Sequence, residues 1–265
     1  MKIIFSSAKK MNRDMDSLSA EGMPVFLEQA EKIIAWLRTK SYTELKALWE
    51  CQDKIGEQNV NRLKQMNLYE QLTPAVLSYE GIAYQYMAPS VFENSHFQYI
   101  QEHLRILSAV YGVLKPMDGV VPYRLEMQAK AAINGSRNLY DLWGSRLYEE
   151  VMDDSRIVLN LASKEYAKCV EKYLKKMDIY ITCTFAEKAR GKLVTKGTYA
   201  KMARGEMVRF MAENQIEDPE EIKNFNRLRY SFREELSSER EYVFVREQAE
   251  EVKGKFNDGK SDRSF

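Results

Sequence analysis

Short apolar runs of strand length, set between longer stretches of helical spacing, are what most constrain the fold of this chain. Residues 1–5 and 157–162, the latter broken only by Asn160, read as buried strands. Residues 178–185 alternate and are rich in Ile, Tyr and Thr, residues 193–195 form a short strand, and residues 242–245 a late one. Residues 73–79 read as a further strand before the turn signal Glu80-Gly81. None of these runs approaches the ~18 consecutive apolar residues of a membrane span.

The remaining apolar residues follow a helical period. Phe26, Leu27, Ala30, Ile33, Ile34 and Leu37 share one face behind Pro24, and Ser41 or Thr43 can cap a second helix carrying Leu45 and Leu48. Residues 55–66 read as a third helix. Phe97, Ile100, Leu104, Leu107 and Tyr111 form one stripe, ended by Gly112 and barred from resuming by Pro116. Residues 139–152 and 199–211 are amphipathic helices, the second with Tyr199, Ala203, Met207 and Phe210 on one face. Strands and helices without strict alternation predict an α+β (mixed α/β) single domain, a mixed β-sheet surrounded by helices, over residues 1–252. Residues 253–265 lack periodicity and read as a flexible tail.

Several function classes are disfavoured at once. Cys51, Cys169 and Cys183 are widely spaced, which gives neither a disulfide framework nor a thiolate zinc site. His96 and His103 lie near one helix face beside Glu102 with no evident third ligand, so no metal site is expected. No Gly-rich phosphate loop or dinucleotide fingerprint occurs, and no cofactor is expected. The apolar start precedes Lys9 and Lys10, the reverse of a signal peptide, so a cytoplasmic location is expected. The formal net charge is only +1, but residues 160–210 carry twelve Lys/Arg against five Asp/Glu, while residues 217–251 carry six against eleven. Such asymmetry suits an anion-binding face, or simply solvated helices.

Ile3-Ile4-Phe5-Ser6-Ser7-Ala8-Lys9 resembles the S-P-A-K opening of the YaaA peroxide-stress family, with Ser7 for the usual proline and Lys10 for a usual threonine. The run from His103 through Ala109-Val110-Tyr111-Gly112-Val113-Leu114-Lys115-Pro116 to Asp118 is the strongest match, with Ala109 where the family has glycine. Pro122-Tyr123-Arg124-Leu125-Glu126-Met127, Leu139-Tyr140, Trp143-Gly144, Asn160-Leu161-Ala162-Ser163, Glu165-Tyr166, Tyr199-Ala200-Lys201, Ala203-Arg204-Gly205, Phe225-Asn226 and Val243-Phe244 follow in the expected order. The resemblance covers nearly the whole chain. It implies a cytoplasmic protein that limits hydrogen-peroxide damage, in part by keeping free iron low, and a DNA-binding protein of mixed α/β fold with a helix-hairpin-helix element. Because the candidate groups address phosphates and not base edges, double-stranded DNA bound without sequence preference is expected.

That element falls on residues 107–116. Tyr111 and Gly112 would form the turn, Ser108 and Lys115 would face phosphate, and Arg105 and Arg124 would flank it. A plain helix C-cap explains the same glycine and proline. Lys201 and Arg204, three apart on a helix, with Lys188 and Arg190 before them, would track a phosphate backbone or merely face solvent. Lys9 and Lys10 follow a strand end, where binding residues are common. Asn160, Ser163 and Tyr166 stand just past a buried strand, the place where open sheets hold ligands. With Lys9 and Arg124 they mark the alternative reading, the pocket of a small-molecule enzyme; Ser163 also reads as a plain helix cap. The Ser-x-x-Lys spacing of Ser6 and Lys9 lacks the partner motifs of a serine nucleophile.

Overall fold

The computed structural model describes residues 1–14, 16–189 and 191–247. Arg190 and the tail 253–265 therefore lie outside the described residues. Among the described residues eight strands form one mixed sheet: β1 (Lys2–Ser6), β2 (Leu104–Ser108), β3 (Gly112–Leu114), β4 (Ile157–Asn160), β5 (Ile179–Ala189), β6 (Lys192–Val194), β7 (Tyr230–Phe232) and β8 (Glu241–Arg246). Their order is β7-β8-β5-β4-β1-β2-β3, with β6 turned back on the end of β5. The five central strands are parallel, and β3, β6 and β7 run antiparallel.

The helices that matter below are α1 (Leu27–Arg38), α2 (Tyr42–Trp49), α3 (Asp53–Gln65), α4 (Ile82–Met87), α5 (Asn94–His103), α6 (Lys164–Glu171) and α7 (Gly197–Asn214). Ile3, Ile4 and Phe5 are all buried because β1 lies mid-sheet with both faces covered, the condition under which a parallel strand reads as a continuous apolar run. Ser41 caps α2 in a reciprocal box with Glu44.

The segment that most resembles a helix by spacing is the one that departs from it. The stripe from Phe97 to Tyr111 stays helical only to His103; Leu104–Ser108 is β2, and Gly112–Leu114 returns antiparallel as β3. The segment 107–116 is thus a buried β-hairpin and not a helix-hairpin-helix. Its apolar residues satisfy both periods, and pairing with β1 on one side and β3 on the other decides for the strand. Ser108 holds the turn: its Oγ accepts from the Val110 and Tyr111 amides and shares a 2.7 Å hydrogen bond with the Tyr123 hydroxyl.

Two smaller departures have equally local causes. The helix expected over 139–152 breaks at Gly144 (φ 55°, ψ −137°) into Leu139–Trp143 and Arg146–Val151. The strand expected over 73–79 is a helical turn, Ala75–Ser78, between two short ladders. In these, Thr73–Pro74 pairs with Gly119–Val120, and Tyr79–Glu80 with Lys10–Met11.

Candidate functional site

The chain leaves β1 to build β2 on one side and later builds β4 on the other, so the carboxyl ends of β1 and β4 form a topological switch point, where open sheets hold ligands. A crevice of about 430 Å³ opens there. Its walls are the end of β1 and the residues after it (Phe5 to Lys10), the start of α4, the start of α6 with Ser163 and Tyr166, the loop carrying Leu125 and Glu126, and Lys201 and Arg204 of α7.

Each wall is held by a specific contact. Ser6 Oγ accepts from the Ser163 amide at 2.9 Å and donates to Ser163 Oγ at 3.2 Å, joining the ends of β1 and α6. Tyr84 of α4 donates to the Ser6 carbonyl at 3.0 Å. Lys9 pairs with Glu126 at 2.5 Å, Lys10 with Glu80, and Arg124 ties the Lys9 carbonyl to Glu126 from behind. α7 reaches the crevice by a backbone-close crossing of α4 at Gly205, where a Cβ would stand 1.9 Å from the Ala83 carbonyl oxygen.

Those pairings leave three Lys, Arg and Glu side chains on the crevice without an ion-pair partner among the described residues: Lys201, Arg204 and Glu165. Arg204 also makes no hydrogen bond there, and its Nε is fully buried; burial pulls its pKa below the ordinary guanidinium range. Burial pushes Glu165 upward, against the amide of Gln128, which donates to it at 3.1 Å. The Tyr166 hydroxyl is raised well above its ordinary value, again by burial. Among the described residues no group of His, Cys, Asp and Glu is arranged to hold a metal ion.

The structure thus brings Lys9, Lys10, Ser163, Tyr166, Lys201 and Arg204 onto one crevice, although the sequence placed them in two separate candidate sites. Asn160 does not line it; its amide bonds Thr182 Oγ1 and the Ala162 amide, which turns the chain out of β4. Ser108, Tyr111 and Gly112 are buried in the hairpin and out of reach of a surface phosphate. Arg105 is likewise buried, its guanidinium turned onto the Gln101 and Leu104 carbonyls. Lys115 follows the end of β3 remote from the hairpin turn, and Lys188 sits exposed on β5 opposite Leu193. Glu80, Tyr84 and Glu126 escaped sequence reasoning; Glu80 beside its turn glycine and Glu126 two residues after Arg124 were the only cues.

Asp118, at the foot of the hairpin, gives a pH test of this packing. It accepts from the Lys115 amide at 2.8 Å, and burial lifts its pKa from 3.8 to about 6. The folded state therefore holds this proton where the unfolded chain has released it. Its contribution to stability is full below about pH 4 and is lost as pH rises to about 6. Asp118→Asn is expected to keep the amide contact and remove this decline, read as thermal midpoints of both proteins across pH 4–7; parallel curves would refute it.

Residues 1–236 match the family described as Peroxide stress protein YaaA. A UPF0246 protein of Agathobacter rectalis is 65% identical over 93% of this chain and 99% of its own length. UPF0246 proteins of Desulfitobacterium hafniense and Lachnoclostridium phytofermentans are 53% and 50% identical over 94% and 93% of this chain, covering 100% and 96% of their own lengths. Among the described residues no helix is long and apolar enough to cross a membrane.

Proposed function

Because the chain belongs to the peroxide stress protein YaaA family, we propose that it serves in peroxide stress by binding a phosphate-bearing ligand in the switch-point crevice. The observation that carries this reading is Arg204. A half-buried guanidinium without ion pair or hydrogen bond is costly to keep, and an incoming anion supplies the missing partner. Lys201, one turn away on the same face of α7, adds charge that would otherwise only repel it. Concavity and an apolar lining favour a small ligand over a duplex, which presents its phosphates on a convex surface.

Double-stranded DNA, bound by backbone contacts without sequence preference, is the second reading. The exposed lysines Lys9, Lys10 and Lys201 around one mouth favour it. Lower intracellular free iron and a cytoplasmic setting belong to the same proposal, the iron effect being indirect.

Isothermal titration with inorganic phosphate at low salt tests the first reading. Arg204→Leu is expected to weaken binding at least ~10-fold, the worth of a charge-assisted contact, while unfolding no earlier than the parent protein. Unchanged affinity would overturn it. In a parallel salt series with fluorescent duplex DNA, a shallower slope for Lys201→Ala would support phosphate contacts from α7. No binding at low salt would remove the DNA reading.

A further inference from the structure

The crevice is electrically divided, and the division describes its ligand. The unpaired cations Lys201 and Arg204 stand on the α7 wall, and the unpaired carboxylate Glu165 stands on the α6 wall beside the Lys9–Glu126 pair. No carboxylate among the described residues pairs with Arg204, and the thiol near it, Cys183, is kept neutral by burial. Besides the charged groups and Ser6, Ser7 and Ser163, the lining is apolar and aromatic, from Ala8, Ile82, Tyr84, Leu125, Leu161 and Tyr166.

Inorganic phosphate would satisfy only the α7 wall and leave the rest of about 430 Å³ to water. A sugar phosphate would reach the α7 wall but brings no flat body for the aromatic part of the lining and no N–H donor for Glu165, while Ser7 and Ser163 leave polar ground on which a ribose can lie. A ligand that fits all three parts has an anion at one end, a flat weakly polar body, and N–H donors at the other end for a carboxylate. A nucleobase with an exocyclic amine meets this description, because its donor edge is what Asp and Glu accept from in base recognition.

Resting on the anion-binding reading above, we propose that the crevice is a site for a nucleoside monophosphate with an amino-bearing base, its phosphate on Lys201 and Arg204 and its amino edge toward Glu165. Glu165 is then the discriminating residue and Arg204 the anchoring one. The Glu165 oxygen that accepts from Gln128 stays acceptor-competent in Glu165→Gln, so that variant removes the charge and keeps the loop contact.

The test is titration calorimetry of the whole protein with AMP, GMP, CMP, UMP, the matching nucleosides and inorganic phosphate. At least one amino-bearing monophosphate is expected to bind ten-fold or more tighter than UMP and than phosphate. Arg204→Leu should abolish that binding. Glu165→Gln should weaken it about ten-fold, a loss typical of a charge-assisted hydrogen bond, and narrow the preference over UMP. If phosphate binds as tightly as every nucleotide, the nucleotide assignment falls while the anion site stands. If phosphate and nucleotides both fail to bind, both readings fall. If nucleosides bind as well as their monophosphates, the base site stands without the anion anchor, and the proposal is overturned in its phosphate half.

Discussion

Gly205→Ala is expected to lower the thermal midpoint by at least ~6 °C, from a cost of about 3 kcal/mol. The added methyl would sit 1.9 Å from the Ala83 carbonyl oxygen, 2.8 Å from its carbon and 2.9 Å from the Met87 nitrogen. All three are backbone atoms, so no flexible side chain can give way. α4 cannot retreat either, since Tyr84 is tied to the Ser6 carbonyl and packs edge-on against Phe5. The helices must separate, and with them Ala83 and Arg204, which line one crevice. Phosphate affinity is therefore expected to fall along with stability. Gly197→Ala, in the same helix with nothing within 4 Å of its Cβ position, is the control and should be neutral or slightly stabilising. Equal midpoints for the two variants would show that α4 and α7 are not in backbone contact.

Gly112→Ala is the second large effect, expected to cost about 3 kcal/mol or more from two sources. Its φ of +73° penalises any side chain, and a Cβ would stand 2.8 Å from both Phe26 Cδ2 and Trp143 Cζ3. Trp143 is fixed by the hydrogen bond from its Nε1 to the Ala109 carbonyl at 3.1 Å. Gly191→Ala separates the sources. Its φ is +75° with open space around it, so it should show only the conformational penalty, about 1 kcal/mol. If chemical denaturation gives both variants the same loss, the packing of the hairpin against α1 and Trp143 is not as described.

Gly112 also shows where the sequence informs and where it misleads. A glycine before a proline-ended segment marks a left-handed residue correctly, yet that conformation serves a helix end and a tight β-turn equally well. What precedes it was decided by β1, a strand about one hundred residues away in sequence, which no local period contains. The strands at residues 2–5 and 157–162 were legible because burial on both faces leaves a continuous apolar signature, and that at 178–185 because one face of its middle is only half-buried and the residues alternate. In the crevice, Lys9, Ser163 and Tyr166 were legible as polar residues past strand ends, and Lys201 with Arg204 as cations one turn apart. That the two groups meet was not legible, because the Gly205 crossing that delivers α7 is a single absent side chain. Glu126 and Glu80 looked like ordinary loop acids.

The position of β1 has a consequence for how the chain is made. Ile3-Ile4-Phe5 pairs with residues near 104 on one side and near 158 on the other, so β1 leaves the ribosome well before either neighbour exists. At roughly 5–20 residues per second, its second edge stays open for about 8–30 s of synthesis. During that time the middle of the future sheet is a bare apolar strand that local structure alone cannot bury. Nascent chains of this protein should therefore depend on holding chaperones until β4 has emerged, and truncation within residues 110–155 should give insoluble product where the whole chain does not.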